Sequence, residues 1–215
     1  SAASGKIDFD IDYNGSKQVY LLKENVKPIR EKYEITIIPG FPESITGRLI
    51  FCYQDNMNTD GIYPGKYTYT DDFTPEQQAE VVMENYDPEF GKLAGKGDIL
   101  AGGFNFGTGS SREQAATALK YKGISLVIAG SFSDTYNRNA LNNGFLTIRC
   151  PELINDLKSF LGTEKLTYLS DKNITVNFKE STIVHGDMIY EIDPVGKAAQ
   201  ELIVDGGLEN WIKRQ

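Results

Sequence analysis

The chain has 215 residues, 40% of them hydrophobic and 11% aromatic, which is enough apolar material to bury one sizeable core. Its formal net charge of -8 excludes a sequence-independent grip on nucleic acid or on anionic membrane, both of which need clustered Lys and Arg, so a partner protein or a small ligand is expected instead. The longest apolar stretch, around residues 124–129, is far shorter than the roughly 20 residues of a membrane span.

Residues 1–45 read as an irregular leader or arm. Residues 7–12 alternate like an edge strand, and Pro28, Pro39 and Pro42 punctuate the remainder of this segment. The opening Ser1-Ala2-Ala3-Ser4-Gly5 looks like a cut end, which a targeting peptide or a larger region could precede. From residue 46 to 215 the punctuation becomes regular and reads as one domain. Residues 49–53 form a short buried-strand pattern, followed by a polar turn over residues 55–61 that carries carboxylates. Thr74-Pro75-Glu76 opens a helix with a cap, a proline in the first helical position and an acid in the first turn, and the pattern carries it to about Tyr86. Beyond this lie a strand at 99–101, a glycine-rich turn, and a helix at 111–121. A strand at 125–129, a helix at 132–142, a strand at 145–148 and a helix at 152–161 come next. Residues 165–179 hold one or two strands, and 198–213 is helical with a break at Gly206-Gly207. Strands alternating with helices imply an α/β domain in which helices flank a mixed or parallel sheet.

Cys52 and Cys150 lie about a hundred residues apart, and His185 is the one histidine, whereas zinc and iron-sulfur sites usually take three or four such ligands, often closely spaced. No complete metal site is therefore expected within this chain, and the thiols read as small apolar residues that flank strands. The same counts leave no Cys-His or Ser-His-Asp device unless His185 serves it, and nothing beside His185 suggests a nucleophile.

The sharpest local feature is Ala101-Gly102-Gly103-Phe104-Asn105-Phe106-Gly107-Thr108-Gly109-Ser110-Ser111-Arg112-Glu113-Gln114-Ala115, a strand, a glycine-rich loop and a helix start. Glycines let backbone N–H groups turn toward an anion, serines donate hydrogen bonds, and an arginine can grip a carboxylate with two parallel bonds. Gly107-x-Gly109-x-x-Arg112 begins like a dinucleotide fingerprint, but Arg112 stands where the third glycine belongs, and the following strand ends without a ribose-binding acid. A phosphate P-loop needs a lysine where Gly109 stands. A plain serine-capped helix accounts for everything except Arg112 in the first turn, where the helix dipole disfavours a cation unless an anion meets it; an internal partner such as Glu113 or Asp60 would also serve.

Residues 107–115 resemble the G-x-G-S-S-R-E-H/Q-A signature of the swivel domain of the aconitase superfamily. Upstream, residues 55–64 are similar to that family's D-x-x-N/D-T-D-x-I-x-P turn. Downstream, Ala129-Gly130-Ser131-Phe132, Asn139 and Gly144-Phe145-Leu146 fit its A-x-S-F…N…G-L-L stretch, with Phe145 in place of Leu. Gln114 after Glu113, and the ending Gly206-Gly207-Leu208-Glu209-Asn210-Trp211-Ile212, resemble the fungal homoaconitase branch rather than aconitase or isopropylmalate isomerase. The resemblance implies a swivelling β/β/α domain that acts in interconverting homocitrate, homoaconitate and homoisocitrate in lysine biosynthesis. It also implies a partner: catalytic core domains, in the same chain or in a separate large subunit, whose 4Fe-4S cluster this chain does not bind. By motif position the proton-abstracting serine is Ser110. Ser111 and Arg112 bind a substrate carboxylate, and Asp60 orients these groups. The stretch Gly65-Lys66-Tyr67-Thr68-Tyr69-Thr70 corresponds to the loop that reads the substrate's distinguishing side chain. Archaeal homoaconitases carry an arginine where Tyr69 stands, so Lys66 is the replacement reader, with Tyr69 and Thr70 beside it; a solvated turn lysine and packed aromatics are the plain alternatives. Arg48, Arg138 and Arg149 are further candidate carboxylate binders. The fungal likeness implies the mitochondrial matrix, with the cytoplasm as the alternative. The small subunit of 3-isopropylmalate dehydratase and a non-catalytic carboxylate-binding relative are the competing readings.

Overall fold

A computed structural model describes residues 36–70, 72–161 and 164–214, so the edge strand expected at 7–12, with most of the expected leader, lies outside the described residues. Residues from 36 onward already pack on the domain: the Ile38 N–H donates to Gln200 Oε1 at 3.0 Å, and Phe41 meets Phe178 edge-on at 5.1 Å.

Seven strands among the described residues form one sheet in the order β4-β3-β2-β1-β5-β6-β7. β1 (Ser44–Cys52), β2 (Ile99–Gly102), β3 (Leu126–Ala129) and β4 (Thr147–Arg149) run parallel, joined through helical crossovers. β5 (Thr167–Asn177) pairs antiparallel with β1 across a bulge at Arg48/Ile50, and β6 (Thr182–His185) and β7 (Met188–Glu191) continue antiparallel. The sheet is therefore mixed, with helices on its parallel half, as the alternating pattern predicts.

Alternation along the strands divides the core in two. Ile50, Cys52, Leu100, Val127 and Ala129 face one cluster, shared with Ala115, Ala116 and Leu119 of α4 (Gln114–Tyr121) and Tyr136 and Ala140 of α5 (Asp134–Asn142). Leu49, Phe51, Ile99, Ala101 and Ile128 face the other, shared with Leu153, Ile154 and Leu157 of α6 (Pro151–Leu161) and with Ile174, Val176 and Ile183 of the antiparallel strands. Cys52 lies in the first cluster and Cys150 in the second, both free and buried.

Some boundaries depart from expectation. Before β2, the loop after β1 winds into a one-turn helix, α1 (Thr59–Ile62), capped by Asn58, whose Oδ1 accepts the Gly61 N–H at 2.7 Å. The helix opened by Thr74 has the full capping box but ends early, as α2 (Pro75–Val81). Val82 turns extended and Met83 left-handed (φ 63), because both side chains are drawn into the core and the Met83 N–H bonds the Ile62 carbonyl at 2.7 Å. A further short turn, α3 (Phe90–Leu93), precedes β2. The segment of residues 165–179 holds one long strand, β5. The hairpin β6–β7 was not anticipated: its short strands carry little apolar alternation, and it turns at Gly186-Asp187 with Gly186 at φ 60. The break at Gly206-Gly207 separates α7 (Lys197–Asp205) from α8 (Leu208–Arg214), with Gly206 left-handed at φ 78.

Candidate functional site

Because β1, β2 and β3 are parallel, the loops after them converge at one edge of the sheet, where open α/β sheets bind ligands. Backbone bonds tie these loops to each other. The Gly107 N–H and Thr108 N–H donate to the Met57 carbonyl at 2.7 and 3.2 Å, and the Thr59 N–H donates to the Thr108 carbonyl at 2.8 Å. From the loop after β3, the Phe106 N–H takes the Ser131 carbonyl at 2.9 Å, and the Ser133 hydroxyl donates to the Gly107 carbonyl at 2.6 Å. Asp55 accepts the Phe104 N–H at 2.6 Å and the Lys158 ammonium at 2.6 Å, and that ammonium also lies 4.9 Å from the centre of the Tyr53 ring. The glycine-rich loop is thus held on three sides before it reaches residue 110.

Ser110 and Ser111 are both exposed and come after Gly109, whose backbone is left-handed at φ 96. They cap no helix. α4 begins at Gln114, and Glu113 in the capping position makes no side-chain cap bond, so the helix start expected at residue 111 is corrected to 114 and the serine-capped reading with it. The helix cannot start sooner because Arg112 is pulled across to the first loop. Its Nη1 donates to Asp60 Oδ1 at 2.9 Å and to the Tyr63 carbonyl at 3.2 Å, leaving the side chain 19% exposed. The anion that meets Arg112 within the chain is Asp60.

Asp60 is in turn the hub of that side. It accepts the Gly65 N–H at 2.9 Å, and Asn85 Nδ2 reaches both its Oδ2, at 3.0 Å, and its carbonyl, at 3.1 Å. A Cβ at 65 would lie 2.9 Å from both Arg112 Nη2 and Asp60 Oδ1, so a side chain there would have to push the ends of this pair aside. The Gly65 N–H first, and then Arg112, hold the Asp60 carboxyl below its ordinary value of 3.8. A carboxylate whose folded value is depressed contributes stability that is fully present above its unfolded value and is lost as pH falls through the folded one. Asp60→Asn is therefore expected to be less stable than the parent at neutral pH, with the difference closing as pH drops below 3.8. Denaturant midpoints measured from pH 7 to pH 3 check this, and a pH-independent gap would rule it out.

Ser111 Oγ lies 3.4 Å from Asn139 Nδ2 on α5. Lys66 sits on a 3-10 turn (Gly65–Tyr67) beside Asp60, but its ammonium points to Glu84 Oε1 at 2.6 Å and lies 4.7 Å from the centre of the Tyr67 ring. Glu84 first, and then Tyr67, raise the Lys66 value. Tyr67 is packed, stacking on Phe73 at 5.2 Å, whereas Tyr69 is 92% exposed. Thr70 is exposed, and its N–H donates to the Tyr67 carbonyl at 3.3 Å. The structure thus joins Asp60, Arg112 and the Gly65 turn directly, brings Ser110 and Ser111 onto the same loop, and leaves Tyr69 and Thr70 facing solvent. Arg48 lies elsewhere, at the amino end of β2, paired with buried Asp98 at 2.7 Å. Arg149 approaches Asp193 at 4.0 Å, and Arg138 is exposed on α5. Residues missed from sequence are Glu84, Asn85, Asn139, Asp55 and Lys158. All are ordinary polar residues, in loops for Asp55, Glu84 and Asn85 and on helices for Asn139 and Lys158, and only Asn139 and Asp55 fall inside a recognisable stretch.

The family profile for the aconitase C-terminal domain matches residues 17–153. The chain is 48% identical over 188 residues to the mitochondrial homoaconitase of Candida albicans, covering 84% of this chain and 28% of that protein. It is 50% identical over 193 residues to that of Candida glabrata, covering 85% of this chain and 28% of the relative. A crystal structure of 3-isopropylmalate dehydratase from Methanocaldococcus jannaschii superimposes with a TM-score of 0.67 at 32% identity, covering 80% of this chain and 94% of that one. The chain spans about 28% of the length of the curated relatives it matches.

Proposed function

This chain belongs to the aconitase C-terminal domain family, and from that premise we propose that it is the swivel domain of a homoaconitase, acting in the reversible dehydration and hydration of homocitrate, homoaconitate and homoisocitrate in lysine biosynthesis. The observation that carries the proposal is the loop of residues 107–112, which offers two exposed serine hydroxyls beside an arginine already anchored on Asp60. In this reading residues 46–215 are the swivel body, residues 1–45 lead into it, and the protein works in the mitochondrial matrix, as the names of its fungal relatives suggest.

Ser110, having first lost its own proton to solvent, takes as its alkoxide the proton next to a substrate carboxylate and is left as the neutral hydroxyl. A serine alkoxide is far too basic to form unaided, so its charge must be met where it develops, by loop N–H groups and by the guanidinium of Arg112. Ser111 and the outer face of Arg112 take the carboxylate itself, and Asp60, held by Gly65 and Asn85, fixes the guanidinium plane. Closure over the substrate excludes water from these groups.

The described residues do not fit the 4Fe-4S cluster that the family implies. Cys52 and Cys150 lie on opposite faces of the sheet, and burial pushes both thiols up, Cys150 to about 11, away from the thiolate that iron requires. In this reading the cluster belongs to the partner core, and no step on this chain runs through it.

The test is hydration of homoaconitate, cis-aconitate and isopropylmaleate by this chain alone and after mixing with a homoaconitase core. Turnover of homoaconitate in the mixture alone supports the proposal. A 3-isopropylmalate dehydratase small subunit is the second reading, favoured by the structural match and marked by turnover of isopropylmaleate instead.

A further inference from the structure

The cations around the loop cluster are engaged within the chain: Arg112 with Asp60, Lys158 with Asp55 and Lys66 with Glu84. The third pair differs from the others. The Arg112 and Lys158 side chains are 19% and 18% exposed, whereas Lys66 is 58% exposed. An exposed pair of flexible side chains is weak and opens readily to a competing carboxylate.

Glu84 is nonetheless aimed. Met83 before it is fully buried and left-handed at φ 63, a conformation unfavourable for a side chain of that size, and its N–H is fixed on the Ile62 carbonyl at 2.7 Å. That turn directs Glu84 back onto the 3-10 turn, where one oxygen takes Lys66 and the other accepts the Tyr67 hydroxyl at 3.2 Å. It also delivers Asn85 to Asp60. When Lys66 leaves, Glu84 keeps the Tyr67 hydroxyl and its contact with water, so no buried charge is stranded.

We propose that Glu84 is an internal stand-in for a ligand carboxylate: binding exchanges the Lys66–Glu84 pair for a pair between Lys66 and a carboxylate of the substrate. The inference rests on the tricarboxylate reading above and deepens it, making Lys66 the group that reads one carboxylate and Glu84 the residue that sets how strongly it does so. A ligand with no carboxylate at that position leaves the internal pair closed and gains nothing from Lys66.

Tricarballylate, a stable tricarboxylate, titrated into this chain while backbone amide shifts of residues 65–67, Ser110 and Ser111 are followed by NMR, tests this. Glu84→Gln removes the competing charge and keeps the shape, and is expected to lower Kd by about twofold to fivefold, the range of a single exposed ion pair. In a Lys66→Met background the same change is expected to leave Kd where it is. An unchanged or raised Kd in Glu84→Gln, an equal fall without Lys66, or the absence of shifts at residues 65–67 would each overturn the exchange. Turnover decides the functional reading separately. A chain that shows the Glu84-dependent titration but supports no hydration retains the exchange and loses the homoaconitase assignment, and the reverse pattern does the opposite.

Discussion

Ser110→Ala, assayed in the chain joined to its catalytic core, is expected to lower kcat by roughly 10²- to 10⁴-fold, the usual contribution of a positioned proton-transfer group, with KM little changed. The split arises from where Ser110 sits. It is exposed at the end of a loop whose backbone is fixed upstream, through Gly107, Thr108 and Phe106, so deleting one hydroxyl removes no packing and leaves the carboxylate-binding groups in place. A surface change of this kind usually moves stability by less than about 0.5 kcal/mol, so loss of turnover with an unshifted melting temperature identifies a chemical role. Retention of more than about a tenth of wild-type kcat would remove Ser110 from that role. Binding of tricarballylate is expected to persist, which separates a catalytic serine from a purely carboxylate-binding loop.

The second large effect is on folding. Gly107→Ala is expected to destabilise the chain by about 2–4 kcal/mol, combining a left-handed backbone with an overpacked contact. Gly107 has φ 75, and a Cβ there would overlap the ring of Tyr136, which is buried under the loop, stacks on Phe132 at 6.0 Å and meets Phe106 edge-on at 5.3 Å. In a domain of this size the loss corresponds to a fall in Tm of roughly 5–15 °C. Calorimetry settles the matter: a variant that melts within a degree or two of the parent would mean that the loop yields freely and does not position Ser110. Because the same backbone carries Ser110 and Ser111, the variant is expected to lose activity in the temperature range where it is still folded.

How far each feature was legible from sequence depended on the range of the interaction that makes it. Local chemistry was readable. The Thr74 cap with Pro75 and Glu76, the glycine pair ending α7, and the alternation of apolar strands with helices each rest on neighbours within a few residues, and each took the form expected. The segment of residues 107–112 was marked by its residue types, since glycines, serines and arginine in that order have few purely structural uses. Where helices end was less legible. α2 stops at Val81 because Val82 and Met83 are recruited by a core some 20 residues upstream in the chain, and α4 starts late because Arg112 reaches Asp60, 52 residues away.

The sequence by itself determined the α/β class and the order of glycines, serines and arginine in the loop read as anion-binding, because helix capping, backbone freedom at glycine and hydroxyl or guanidinium chemistry are properties of residues and their near neighbours. Only the tertiary structure decided which charges meet. Asp60 with Arg112 and Asn85, Lys66 with Glu84, and Lys158 with Asp55 lie 18 to 103 residues apart: Asp60 and Arg112 meet because parallel strands deliver their following loops to one edge of the sheet, Asn85 and Glu84 because the Met83 N–H folds the β1–β2 connection back onto Ile62, and Lys158 because α6 packs beneath the first loop. An ion pair selects its partner by distance in space, and that distance is set by strand order and core packing rather than by anything the two residues carry themselves.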